Sequence, residues 1–136
     1  MTIDQAIYDH VKALGFNIFF GSAEGVSMPY YTMIKISDAE RPDVLCEAQG
    51  ESGQAVFIFE GHAGGQGQAG SASSTLTYTQ LLHDAVKNIK GLIGTAPNEF
   101  RIWNNTTNGV VLSNRAAQSL SIWSAEFSVV FWWSAV

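Results

Sequence analysis

"IWSAEFSVVFWW" occupies residues 122–133 and contains three of the four tryptophans of the chain. Its residues alternate in steps of two, which predicts a β-strand with two distinct faces. One face is apolar throughout and consists of Trp123, Ala125, Phe127, Val129, Phe131 and Trp133. The other face begins as Ser124, Glu126 and Ser128 and continues as Val130 and Trp132. Since the end of this strand is apolar on both faces, we expect a second element or a partner to cover Val130 and Trp132.

The overall composition also predicts a partly covered surface. A length of 136 residues favours a single domain over residues 1–136. The chain is 46% hydrophobic and 14% charged, whereas globular domains carry about 25% charged residues. A surface so poor in charge and rich in aromatics indicates an interface with another chain.

Charge and cysteine content exclude several classes of function. The formal net charge is −5, which disfavours non-specific binding to nucleic acid. A single cysteine, Cys46, allows no intramolecular disulfide and fits a reducing compartment. Because the sequence has neither a long apolar run nor a signal-like start, we expect no membrane span and no secretory leader.

Two segments have the apolar periodicity of helices. In the first, Thr2 and Gln5 form a capping-box pattern and Gly15 marks the end. Its apolar stripe consists of Ile3, Ile7, Val11 and Leu14. The second helix is predicted over residues 75–92, with Ser74 or Thr75 as N-cap and with Gly91 or Gly94 at its end. Its stripe consists of Tyr78, Leu82, Ala85, Val86 and Ile89.

Strands alternate with these helices. "PYYTMIKI" at 29–36 and the segment 54–60 are predicted strands, and the second is apolar on both faces, so it should lie inside the sheet. A short strand after residue 99, a turn at Asn108-Gly109 and the closing strand follow. The predicted fold is α+β, with a mainly antiparallel sheet of about four strands and two helices packed on it.

Catalytic and cofactor motifs are weak in this sequence. His10 and His83 lie on predicted helices, and His62 has no histidine or cysteine nearby with which to bind a metal. "GQGQAG" at 65–70 matches the dinucleotide pattern GxGxxG, but it does not follow a strand directly and no parallel βαβ unit follows it. Cys46 has no catalytic signature around it. We therefore expect no catalytic residue, no metal and no cofactor, and predict that the protein is not an enzyme.

Two polar segments are candidates for contacts with a partner. The region 61–73 is rich in glycine and is predicted to be a flexible loop that orders on docking or serves only as a linker. Its candidate contact residues are His62, Gly64, Gly65, Gln66 and Gln68. An acidic cluster precedes residue 54 and forms either a functional surface or a solvated loop; it includes Asp38, Glu40, Asp43, Glu47 and Glu51.

The order of elements resembles the tail terminator (tail completion) proteins of long-tailed bacteriophages. The resemblance rests on an opening helix, the "PYYTMIKI" strand at 29–36, a strand at 54–60, a helix at 75–92 and the Trp-Ser strand at 123–132. It implies a homo-hexameric ring that caps the tail tube, ends its polymerisation and provides the surface for head attachment.

The resemblance also implies partners and a location. The partners would be the tail tube protein and a head completion or connector protein. The genome would pass through the bore without sequence-specific contacts, and no membrane would be involved. The protein would be made in the bacterial cytoplasm and reside at the head-proximal end of the virion tail.

The closing strand supplies the remaining candidates for the ring interface, Val130, Trp132 and Trp133. A helix within the same chain that covers Trp132 is the alternative to a partner. Two other classes remain open, namely another head–tail connector or tail tube protein and a small ligand-binding or enzymatic α+β domain.

Overall fold

A computed structural model of the chain describes residues 2–21, 29–40, 52–62, 71–95, 98–114 and 123–136. These residues form two helices and seven strands. In chain order they are α1 (Ile3–Ala13), β1 (Ile18–Phe20), β2 (Tyr30–Glu40), β3 (Ser52–His62), α2 (Ser71–Lys87), β4 (Gly91–Thr95), β5 (Asn98–Thr107), β6 (Val111–Asn114) and β7 (Trp123–Ala135).

All seven strands belong to one curled sheet with the order β1-β2-β3-β7-β5-β4. Strand β7 lies near its centre, with β3 along one side and with β5 and then β6 along the other. The β1–β2 pair is parallel, and the other pairs are antiparallel. Helix α1 contacts both β1 and β4, the two ends of the strand order, so the sheet curls around it.

The predicted sheet of about four mainly antiparallel strands is wrong, because the sheet is mixed and contains seven strands. The sequence pattern missed β1, β4 and β6, which have only three, five and four residues. Strands this short contain too few alternations to show a period of two. In addition, the helix predicted over residues 75–92 overlaps the first two residues of β4, Gly91 and Leu92.

The internal position of β3 is confirmed, since it pairs with β2 on one side and β7 on the other. The turn expected at Asn108-Gly109 is not a hairpin. Strands β5 and β6 run in the same direction along β7, so the chain continues through residues 108–110 instead of reversing.

Helix α1 begins and ends where its capping residues predict. Thr2 has an extended backbone, and its hydroxyl accepts a hydrogen bond of 3.4 Å from the main-chain N–H of Gln5. Gly15 follows the last turn with φ of 101°, a left-handed conformation that glycine adopts without steric cost.

Helix α2 differs from its prediction at both ends. It begins at Ser71, so Thr75 lies inside it instead of capping it. Its last residue is Lys87, before either predicted glycine. The carbonyls that are left without partners at this end accept hydrogen bonds from the Asn105 side chain on β5, which reaches Ile89 at 2.9 Å and Lys87 at 3.2 Å.

A close approach holds α2 against β3. The Thr79 hydroxyl donates to the carbonyl of Thr75 at 2.8 Å, and both side chains are fully buried. An added Cβ at Gly61 would collide with this hydroxyl. The absence of a side chain at Gly61 therefore allows the helix to lie directly on the strand.

The core lies between the two helices and one face of the sheet. Aromatic rings dominate its sheet side, where Phe59 and Phe127 stack at 5.3 Å. Its largest fully buried side chains are Tyr31, Phe57, Phe59, Phe127, Phe131, Ile7, Ile18, Met33, Leu82, Ile102, Val11 and Val86.

Candidate functional site

Both helices pack on the same face of the sheet, which we call the covered face and which carries Phe57, Phe127 and Phe131. Strand alternation and register place a second set of side chains on the opposite side, the open face. It includes Tyr30, Thr32 and Ile34 of β2, Gln54, Val56, Ile58, Glu60 and His62 of β3, Arg101, Trp103, Asn104 and Thr106 of β5, and Glu126, Ser128, Val130, Trp132 and Ser134 of β7.

Apolar side chains occupy the middle of the open face. Val56 on β3 is directly opposite Val130 on β7, and Ile58 on β3 is directly opposite Ile34 on β2. The Ile34 side chain is 40% exposed. Trp132 lies beside Val130 on the same face of β7 and is half-buried. These apolar side chains remain in contact with water, which is unfavourable. The open face is therefore a candidate for coverage by a partner.

A second tryptophan stands at one end of this face, where β5 bulges between Ile102 and Asn104. Trp103 is 53% exposed, but its indole N–H donates to the Ser134 hydroxyl at 2.9 Å. The guanidinium of Arg101 lies over the ring at 5.3 Å from its centroid. These contacts fix the orientation of an exposed aromatic before any partner arrives, which lowers the entropic cost of binding.

The other end of the open face is acidic. Glu60 and Glu126 are directly opposite each other on adjacent strands, an arrangement that is unfavourable for like charges. The His62 imidazole lies beside them, with Nε2 at 3.4 Å from a Glu60 carboxylate oxygen and its ring stacked on Tyr30 at 4.7 Å. The face therefore runs from a carboxylate pair at one end to an arginine and a tryptophan at the other.

A shallow cleft of about 210 Å³ lies at the acidic end, lined by Ile58, Asn108, Val111, Glu126, Phe127 and Ser128. Ligand pockets for small molecules usually measure about 300–1,000 Å³ and enclose most of the ligand. Its small volume makes this cleft a poor small-molecule site.

Next to the cleft, a polar cluster connects α2 to the β5–β6 junction. The imidazole Nε2 of His83 lies 3.1 Å from the main-chain carbonyl of Asn108, and because a carbonyl only accepts, Nε2 carries the proton. Its Nδ1 lies 3.2 Å from both Asp84 Oδ1 and Gln80 Nε2. Hydrogen bonds from His83 and then Gln80 lower the pKa of the Asp84 carboxyl below its usual value.

The structure brings together only some of the residues predicted for an interface. Val130 and Trp132 lie on the open face. Trp133 lies on the covered face and is 4% exposed, since neighbouring residues of a strand point in opposite directions. His62 belongs to β3 and not to the glycine-rich loop, and residues 71–73 of the predicted loop belong to α2.

The other predicted contact residues are not placed. Gly64, Gly65, Gln66 and Gln68 lie outside the described residues, as do Asp43, Glu47 and Glu51. Glu40 is the last residue of β2. The loop and the acidic cluster therefore remain sequence predictions.

Sequence reasoning missed Arg101, Trp103 and Asn108. The alternation of "FRIW" at 100–103 carries the signal for the first two, since Phe100 and Ile102 are buried and the residues between them point to the other face. The Asn-Gly dipeptide marks Asn108 in the sequence, but its contacts with α2 and β7 depend on the fold.

No metal-binding group of three or more His, Cys, Asp or Glu side chains occurs within the described residues. Among the described helices, none is long and apolar enough to cross a membrane.

Comparison with known proteins shows a similar fold but no family. No protein-family model matches the sequence, and no curated protein matches it. One solved structure, whose name carries no functional description, is similar with a TM-score of 0.52 at 12% sequence identity. The similarity covers 96% of this chain and 89% of that chain, so the similar architecture extends over nearly the whole chain.

Proposed function

We propose that this protein is a structural component of a phage virion, which caps the tail tube as a ring, ends tube polymerisation and provides the surface for head attachment. The observation that carries the proposal is the open face of the sheet. The order of helices and strands that resembles tail terminator proteins supports the same function.

The composition of the open face favours a protein partner. Energetic hot spots at interfaces are enriched in tryptophan and arginine, and here Trp103, Arg101 and Trp132 lie at one end of the face. Burial of a large aromatic side chain contributes about 2–3 kcal/mol. Two tryptophans per subunit, repeated around a ring, make a weak contact strong through multivalency.

A homo-hexamer is the assembly that we propose. A cyclic ring requires a heterologous interface in which two different patches meet, and the two ends of the open face differ in chemistry. The ring would contact the tail tube protein on one side and a head completion or connector protein on the other. The net charge of −5 suits a bore through which the genome passes without adhering. The protein would act in the virion tail, with no membrane partner.

The test is complementation of a phage that lacks this gene. The double variant Trp103→Ala/Trp132→Ala removes the two tryptophan side chains of the open face. We expect tails of uncontrolled length or tails without heads in micrographs, and loss of the ring in native mass spectrometry. Leu81→Ala is the matched control, since Leu81 is a 60% exposed apolar residue of α2, and it should leave particles normal.

Normal particles from the double variant would contradict the use of the open face. Gold labelling of purified virions distinguishes the alternative within the same class. Label along the tube would indicate a tube protein, and label inside the neck would indicate another connector. A folded monomer that never enters particles would favour the ligand-binding or enzymatic class.

A further inference from the structure

The Asn108-Gly109 pair does not form a hairpin turn, although this dipeptide is typical of one. Both residues are exposed and lie in the three-residue link between β5 and β6, and Gly109 does not have the positive φ of a hairpin turn. Open space surrounds Gly109, since a Cβ placed there would meet no atom within 4 Å. The peptide unit between Asn108 and Gly109 is therefore accessible to water, and no neighbouring atom crowds Gly109.

Asparagine followed by glycine is the sequence in which the side-chain amide is most readily attacked by the next main-chain nitrogen. The attack forms a five-membered succinimide ring, and a Cβ on the second residue hinders it. Two features limit the rate: the electrophilicity of the Asn Cγ and the acidity of the following N–H. The side-chain carbonyl of Asn108 controls the first property, and the main-chain carbonyl of Asn108 controls the second. In the fold, each of these two carbonyls accepts one hydrogen bond.

The first donor acts on the side chain. The main-chain N–H of Ser128 donates to Asn108 Oδ1 at 2.6 Å. Negative charge develops on this oxygen when Cγ becomes tetrahedral, and a fixed main-chain N–H at such an oxygen stabilises the transition state. The return bond from the Asn108 N–H to the Ser128 carbonyl, at 3.2 Å, holds the two residues in register.

The second donor acts on the peptide unit that Asn108 shares with Gly109. His83 Nε2 donates to the carbonyl oxygen of this unit, which draws electron density from the amide and makes the Gly109 N–H more acidic. The donor is present in either charge state of the imidazole. When Nδ1 is unprotonated it accepts from Gln80, and when it is protonated it donates to Asp84.

We propose that Asn108 is a site of intramolecular succinimide formation, at which the N–H of Ser128 and the imidazole of His83 accelerate conversion of the amide to a carboxylate. The Gly109 nitrogen loses its proton to water and forms a bond to Asn108 Cγ. The Cγ–Nδ2 bond then breaks, and the nitrogen takes a proton from water and leaves as ammonia. Water next adds to one of the two ring carbonyls, and the opened ring is aspartate or isoaspartate.

The product changes the acidic end of the open face. Asn108 lines the cleft together with Glu126, so the reaction adds a negative charge beside an existing carboxylate. The isoaspartate form also lengthens the main chain between β5 and β6 by one methylene group. Both changes alter the charge or shape of the surface that we propose as an interface, whereas the ring closure itself does not depend on the proposed function.

The test compares the folded chain with the same chain unfolded in guanidinium chloride, at the same mildly alkaline pH and temperature. Peptide mapping by mass spectrometry follows the fraction of Asn108 converted, and isoaspartyl methyltransferase labels the isoaspartate product. We expect conversion to be about tenfold or more faster in the folded chain, as removal of a comparable donor costs at least that factor in enzymes. An equal or slower rate in the folded chain would overturn the proposal.

Three variants separate the parts of the mechanism. His83→Leu should slow conversion in the folded chain and leave the unfolded rate unchanged, while His83→Gln retains a donor and should restore part of the rate. Circular dichroism verifies that each variant is folded.

Gly109→Ala, for which there is room, should slow conversion in both the folded and the unfolded chain. An unchanged rate would mean that water hydrolyses the amide directly, without ring closure. Asn104, exposed and followed by Asn105, is the internal reference and should react slowly.

Discussion

Trp132 and Trp133 are adjacent on β7, as are Val129 and Val130, yet the members of each pair belong to different environments. Val129 and Trp133 contribute to the core beneath the helices and are 0% and 4% exposed. Val130 and Trp132 lie on the open face, where neither described helix packs. The same residue types in the same strand thus serve two faces, one covered by the helices of the chain and one on which neither described helix packs.

This difference shows what an apolar pattern does and does not determine. Alternation in β7 assigns each side chain to a face with certainty, because successive residues point in opposite directions. It does not determine which face receives the helices. That choice depends on the stripes in α1 and α2 and on the close approach at Gly61, which lies on the covered face.

The adjacent tryptophans give the sharpest test of the comparison. Trp133→Ala opens a cavity in the core and is expected to cost about 3–5 kcal/mol of unfolding free energy. Trp132→Ala shortens a half-buried side chain and should cost about 1 kcal/mol of unfolding free energy. Among folded molecules, Trp132→Ala should reduce assembly more than Trp133→Ala does. Urea unfolding and native mass spectrometry measure the two effects. Equal losses of stability with assembly intact would refute the distinction between the faces.

A glycine pair tests why the helices choose the covered face. Gly61→Ala places a methyl group against the Thr79 hydroxyl and should cost about 1–3 kcal/mol, as overpacking does in other cores. Gly109→Ala meets no neighbouring atom and is expected to leave stability within about 0.5 kcal/mol. Thermal unfolding of both variants provides the measurement. A stable Gly61→Ala protein would mean that α2 does not rest on β3 at this point.

Much of the covered face could be predicted from the sequence. Most of the α1 stripe, its cap, the internal position of β3 and the buried side of β7 follow from local periodicity. The prediction that Leu14 belongs to the stripe is wrong, because Leu14 lies beyond the helix end and is exposed. The edge of the sheet could not be predicted, because β1, β4 and β6 are too short to show a pattern. The parallel pairing of β1 with β2 is a tertiary contact that no local signal encodes.

The open face was predictable only in part. Val130 and Trp132 are apolar where the other residues on that face of β7 are polar, and this contrast is visible in the sequence. The alternation of "FRIW" places Trp103 on the open face, but its contacts with Ser134 and Arg101 are visible only in the folded chain. The contacts of Asn105 and Asn108 depend on elements about 20 residues away in sequence, so only the folded chain reveals them.

An asparagine pair tests how the covered face anchors α2. Asn105→Asp replaces an amide that donates to carbonyls at the helix C-terminus with a carboxylate that cannot donate. Carboxylates are unfavourable at this end of a helix dipole, and the loss should be about 1–2 kcal/mol. Asn104→Asp makes the same change at the neighbouring exposed position and is the control. Similar unfolding midpoints for both variants in urea would show that the cap contributes little.

The smallest effect concerns Tyr31, whose hydroxyl donates to the Tyr78 carbonyl at 2.6 Å on the covered face. Burial, with a further contribution from Tyr78, raises the pKa of Tyr31 far above its usual value of 10.0. Above that pH the unfolded chain loses the Tyr31 proton while the folded chain keeps it, so this group lowers stability as pH rises. Below pH 10 both states hold the proton, and the group causes no pH dependence.

Tyr31→Phe should therefore have two opposite consequences. At neutral pH it removes one hydrogen bond and should cost about 1 kcal/mol. Above pH 10 its stability should fall less steeply than that of the wild type, because one group that ionises only on unfolding is gone. Urea unfolding at a series of pH values measures both. Parallel curves for the two proteins above pH 10 would mean that the Tyr31 hydroxyl ionises as readily in the folded chain as in the unfolded one, which the stacked, buried ring on the covered face should prevent.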